Sequence, residues 1–210
     1  MLRLLTLLPV AGLLLASCAK NNDTEPGFPE VPTSASAKDL VAVAASDTIW
    51  NGVAVSDDDR TFVLFPHNEG NPGTRIGELL NGKAVAYPNR AWNAWKKPGD
   101  PAAAAFVRPN SLRIGPDGLL WIVDTGTPKS DAAPVANGPK LLGFNLTTNQ
   151  LAKTIPLDNY VKTTSFVDDL RFHGDIIYVT DAGAPGIIVL NQRTGQGRRV
   201  LENDSSTTQR

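Results

Sequence analysis

Apolar and polar residues alternate in short runs from residue 51 onward, and the runs form a repeat. The first copy is Asn51-Gly52-Val53-Ala54-Val55, a polar turn through Asp57-Asp58-Asp59, then Thr61-Phe62-Val63-Leu64. Asn110 to Asp124 and Asp168 to Asp181 follow the same plan. Each copy predicts a short strand, a tight turn of Gly, Asp or Pro, and a second strand with an aromatic near its middle. The opening residues Asn51, Asn110 and Asp168 are spaced by 59 and then 58 positions. A period of that size points to blades or arrays. Two further strands are expected after the second copy (140–145 and 150–156) and after the third (186–191 and 198–201). Four antiparallel strands per repeat make the blade of a β-propeller. No 11-residue window shows helical periodicity, and Gly77 to Leu80 is too short to count.

The fold class expected is therefore all-β. Residues 46–210 should form about three four-stranded blades of a six-bladed β-propeller. Propellers close with about 4–8 blades, so three would be a fragment. Either the chain is truncated, or it associates with its own missing half or a second copy.

The N-terminus follows a different pattern. Met1-Leu2-Arg3 is a short positive start, and Leu4 to Leu15 is apolar except for Thr6, Pro9 and Gly12. A bilayer-spanning helix needs about 20 such residues, so the run fits a secretory signal instead. Leu15-Ala16-Ser17-Cys18 resembles the bacterial lipobox, which implies a lipoprotein signal peptide over 1–18 and lipidation at Cys18. Acyl chains contribute about 0.8 kcal/mol per buried CH₂, so two or more hold a protein on a membrane. Residues 19–45 are polar and proline-punctuated, as a flexible tether would be. The expected location is extracytoplasmic: membrane-anchored in the periplasm or at the cell surface, or secreted.

Composition narrows the chemistry. Hydrophobic residues are 41% and charged residues 20%, with a net charge of −1. That is enough apolar matter for a core, and the scattered charge gives no footprint for nucleic acid. Cys18 is the single cysteine, which excludes an internal disulfide and a thiolate zinc cluster. With only 2 histidines, a metal would have to rely mostly on oxygen ligands.

Several motifs resemble the yellow/major royal jelly protein family. They include Trp50-Asn51-Gly52-Val53, Asp59-Arg60-Thr61-Phe62-Val63, Ala86-Tyr87-Pro88 and Trp92-Asn93. Asn110-Ser111-Leu112-Arg113, the run Gly118 to Gly126, and Gly138 to Leu146 continue it, and Phe166 to Phe172 and Tyr178 to Ala182 extend it to residue 203. The resemblance implies a secreted six-bladed propeller, in some members binding biogenic amines in the central funnel and in others linked to dopachrome tautomerisation. The absence of the insect members' extra cysteines suggests a bacterial branch. A more distant resemblance is to the gluconolactonase/senescence-marker propellers. There, acidic and amide residues at the inner ends of the first strands hold a divalent metal that polarises a lactone.

The repeat itself puts Asn51, Asn110 and Asp168 at one level around a common axis. They are candidate ligand contacts, and Asn51 and Asp168 are weak candidate donors to a hard cation such as Ca²⁺. Alternatively they cap strand starts by bonding exposed backbone. Trp92, with Trp95, Tyr87 and Pro88, can stack on a cationic ligand or simply bury its area against a blade. Asp124-Thr125-Gly126 has the look of an aspartic-protease triplet, but its echo at Asp181 lies one blade away, and a turn-closing role is expected. His67, with Glu69 nearby, is a general-base candidate lacking a nucleophile, and His173 reads as a solvated turn residue. Trp121 and Tyr178 share a repeat position expected in the core between blades. Three functions follow as expectations: a tethered propeller binding a small ligand, a metal-assisted lactonase or tautomerase, or a non-catalytic scaffold.

Overall fold

Each copy of the repeat folds into its own antiparallel sheet. The computed structural model describes residues 41–67 and 73–208. The leader, Cys18, most of the tether and Glu69 lie outside the described residues. The first sheet holds β1 (Gly52–Val55), β2 (Thr61–Leu64), β3 (Ile76–Leu80) and β4 (Lys83–Ala86). The second holds β5 (Pro109–Ile114), β6 (Leu119–Asp124), β7 (Lys140–Asn145) and β8 (Gln150–Pro156). The third holds β9 (Val167–His173), β10 (Ile176–Asp181), β11 (Gly186–Asn191) and β12 (Gly197–Val200). Strands neighbour one another in chain order within every sheet, and no helix occurs among the described residues. These are three blades of the expected kind.

β3 and β4 complete the first blade, and the sequence carried a signal for them. They join through Asn81-Gly82, both at positive φ (51° and 75°). That is the dipeptide and conformation of a two-residue hairpin turn whose twist matches the strands.

Register ties the blades together. Val53, Leu112 and Leu170 pair with Val63, Ile122 and Val179, so they hold matching places on the first strands. Those first strands lie side by side, β1 against β5 and β5 against β9. One core cluster joins Phe62, Leu64, Ile76 and Tyr87 of the first blade to Leu120, Ile122, Leu142 and Phe144 of the second. Another joins Trp121, Val123 and Leu141 to Leu170, Val179, Ile188 and Leu190 of the third. The middle sheet is thus covered on both faces, which is why β6 is buried along its whole length. A strand buried on two faces has no polar side to alternate with.

One expectation needs correction. Phe62, Trp121 and Tyr178 hold the same register place, opposite Ala54, Arg113 and Arg171. Phe62 and Trp121 are fully buried, and Trp121 packs on Phe172 of the next blade with centroids 5.8 Å apart. Tyr178 is 38% exposed. Its face of the third sheet has no further sheet beside it among the described residues, so it is not inter-blade core here. Val53 shows the same effect at the other side: it is 49% exposed, while its counterparts Leu112 and Leu170 are at 2% and 1%.

Candidate functional site

The three residues that open the repeats meet on one wall. Asn51 precedes β1, and Asn110 and Asp168 are the second residues of β5 and β9. The Asn51 amide Nδ2 donates to Asn110 Oδ1 at 2.9 Å and to the Asn110 carbonyl at 3.0 Å. Asn110 Nδ2 donates in turn to Asp168 Oδ1. The result is one hydrogen-bonded row crossing three blades. It lines a cavity of about 340 Å³, together with Ser111, Arg113 and Asp169. That volume lies at the lower end of small-ligand pockets.

Behind the row is a charged latch that the sequence did not single out. Arg113 reaches from the second blade and grips Asp169 of the third through Nε (3.2 Å) and Nη2 (2.7 Å). Ser111 Oγ donates to the same carboxylate at 2.6 Å, and Arg171 Nη1 also at 2.6 Å. Burial alone would raise the Asp169 pKa. Arg113, Ser111, the Leu170 N–H and Arg171 overcome that and hold it well below the usual carboxylate range. Asp169 is therefore a fixed anion neutralised by its own neighbours. Asp168, one residue earlier, keeps an oxygen that no donor among the described residues occupies.

As a cation site the row fits poorly. Among the described residues no three His, Cys, Asp or Glu side chains converge on a metal-holding position. Asp168 Oδ1 and Asn110 Oδ1 already accept amide N–H groups. Asn51 and Asp168 alone leave a hard cation short of the six to eight oxygens that Ca²⁺ takes. The donor set suits hydrogen bonding better than coordination.

The remaining candidates lie elsewhere. Trp92 is half-buried and lines no part of this cavity; its ring sits 5.2 Å from both Phe106 and Phe144, inside the core between the first two blades. Trp95 is buried. Asn93, met in the sequence only as part of a family motif, and Arg75, which carried no signal there, hold this loop down. Asn93 Oδ1 accepts the backbone N–H groups of Arg75 and Ile76, and fully buried Arg75 donates to the carbonyls of Val107, Asn93 and Trp95. His67 bonds through Nε2 to the Thr74 carbonyl at 2.9 Å, and burial, then Arg75, lowers its pKa. His173 is exposed at the end of β9.

Asp124 and Asp181 are staples. Asp124 accepts the backbone N–H groups of Val107, Arg108 and Gly126 and the ammonium of Lys140. Asp181 accepts those of Phe166, Gly183 and Ala184, together with Ser165 Oγ and Arg199. Each ties the loop entering a blade to the end of that blade's second strand. Burial would raise the Asp181 pKa, but Ser165, Ala184 and Arg199 bring it below normal. The two carboxylates share no proton and serve separate blades.

The sequence model of the family described as major royal jelly protein matches residues 110–209, the segment that carries β5 to β12. The resemblance to the major royal jelly proteins stands. The second and third blades carry that match, and the first repeats their plan. No curated protein matches the chain. Among solved structures, the extracellular domain of a one-component system from B. thetaiotaomicron is similar at 14% identity and TM-score 0.48, over 75% of this chain and 17% of that one. An auxiliary nutrient binding protein from Bacteroides ovatus is similar at 12% identity and TM-score 0.47, over 74% of this chain and 32% of that one. A protein of unknown function from Bacteroides caccae is similar at 15% identity and TM-score 0.32, over 76% and 63%. The chain spans less than two thirds of each.

Proposed function

We propose that this royal jelly-type propeller is a lipid-tethered, extracytoplasmic binding protein that holds a small polar ligand in its funnel. Asn51, Asn110 and Asp168 are its contacts from these three blades. The observation that supports this is the continuous row Asn51–Asn110–Asp168, built from matching repeat positions and set on a cavity wall. The free oxygen of Asp168 favours a ligand with a donor, such as an amine. The latch of Arg113 on Asp169 keeps the wall in register without adding net charge.

The test is thermal unfolding of the full chain with aromatic amines, and separately with Ca²⁺. A ligand present at 100 times its Kd stabilises by about 2.7 kcal/mol, easily seen as a shifted melting temperature. An amine should raise the midpoint of the natural protein and fail to do so for Asp168→Asn. Silence from every amine would overturn the proposal. A Ca²⁺ shift lost in Asp168→Ala would favour the metal-assisted lactonase instead. For the tether, mass spectrometry of the mature protein should find acyl chains on Cys18 and none after Cys18→Ala.

A further inference from the structure

A second cavity, about 460 Å³, opens between the loops entering β5 and β9 and those leaving β6 and β10. It shares no residue with the Asn51–Asn110–Asp168 wall. Arg108 is its one cationic lining residue. The backbone there is fixed: the Arg108 N–H donates to Asp124 at 2.9 Å, and its carbonyl accepts from the Thr125 N–H and Oγ1. The guanidinium lies over the Phe166 ring, 5.0 Å from the centroid, and Nη2 donates to Ser130 Oγ at 3.1 Å. Nη1 is buried with no partner at all.

What Arg108 lacks is a carboxylate in contact with it; Asp131 acts on it only through space. Arg60, Arg113, Arg171, Arg193 and Arg199 each sit within ion-pair distance of an acid. Among the described residues Arg108 has none, and the Ser130 hydroxyl is the single side-chain oxygen it bonds. A partly desolvated guanidinium without an anion in contact is costly, and the fork of its N–H groups matches a carboxylate in both spacing and charge. The rest of the cavity wall supplies hydroxyls from Thr163 and Thr164 and the exposed carboxylate of Asp131. With Asp131 beside Arg108 the cavity is neutral overall, which disfavours a bare anion. It suits an acid that carries its own hydrogen-bond donors.

We propose that this inter-blade cavity binds a small organic acid bearing hydroxyl or amino groups, with its carboxylate on Arg108 and its donors toward Asp131. The site is independent of the funnel and needs neither Asn110 nor Asp168. The test is calorimetric titration of the full chain with L-lactate and L-serine as probes and glycerol as the carboxylate-free control. Lactate or serine should bind and glycerol should not. Arg108→Gln should weaken binding at least about 10-fold, the loss of one charge-assisted contact. Arg108→Lys should retain part of it, and Asp131→Asn should weaken serine more than lactate. If Arg108→Gln does not fold, Arg108→Lys and Asp131→Asn still decide the matter. Asp168→Asn should leave these titrations unchanged, which separates this site from the funnel. Equal binding of glycerol, no binding of either acid at tens of millimolar, or unchanged affinity in the Arg108 variants would overturn the proposal.

Discussion

Replacing Lys140 by Met isolates the contribution of a buried ion pair. The Lys140 and Asp124 side chains are 3% and 0% exposed, with Nζ 2.9 Å from the carboxylate and 2.8 Å from the Gly138 carbonyl. Methionine keeps the bulk of the side chain but leaves the Asp124 carboxyl in a dry setting without its cationic partner. Removing one partner of a buried pair costs about 3–5 kcal/mol. Three backbone N–H groups still reach Asp124, so the lower figure, about 3 kcal/mol, is expected. For a domain of this size that lowers the melting temperature by about 6–12 °C. Arg193→Met is the contrast, because that pair with Asp175 is 72% and 44% exposed and such pairs contribute less than about 1 kcal/mol. Urea unfolding followed by tryptophan fluorescence gives both values under one condition. A Lys140→Met loss no larger than that of Arg193→Met would refute the assignment of Asp124 as a charge-compensated staple.

Other substitutions probe the packing. The Tyr87 hydroxyl is buried without a partner, and burial first, with Glu78 adding to it and Arg60 opposing it, pushes its pKa up to about 12. Its folded pKa is raised, so its stabilisation is complete below pH 10 and is lost, by about 2–3 kcal/mol, as pH rises toward 12; Tyr87→Phe should be neutral or stabilising at pH 7 and flatten that alkaline loss in urea midpoints. Gly126 has φ +67°, and a Cβ there would come within 2.2 Å of the Pro139 nitrogen. Gly126→Ala should therefore destabilise by more than the ~1–2 kcal/mol of left-handed strain alone, measured by thermal unfolding. Trp121→Ala should cost about 3–5 kcal/mol by the same assay, and Tyr178→Ala, from the same repeat position but on an open face, well under half of that.

The contrast between Trp121 and Tyr178 shows what a repeat can and cannot transmit. Alternation and period fix backbone placement: Val53, Leu112 and Leu170 fall on matching strands, and Asn51, Asn110 and Asp168 line up because each begins its copy. Burial depends on what lies across the sheet, which a position's own sequence does not contain, so Tyr178 inherits Trp121's place without its surroundings. The same limit applies to chemistry. Asp124-Thr125-Gly126 was visible as a motif, yet its meaning needed the partners brought to it from elsewhere: Lys140 for the charge, Arg108 for the threonine hydroxyl, Pro139 for the glycine's close approach. Arg75 had no signal at all, because a buried arginine bonded only to backbone carbonyls makes no ion pair that a sequence pattern could pick out. Arg113 and Asp169 were within the aligned copies but sat on neighbouring blades, and a repeat pattern compares equivalent places, not facing ones. Where the function reading rests on equivalence, as in the funnel row, the sequence reaches it; where it rests on facing loops, as around Arg108, only the packed blades do.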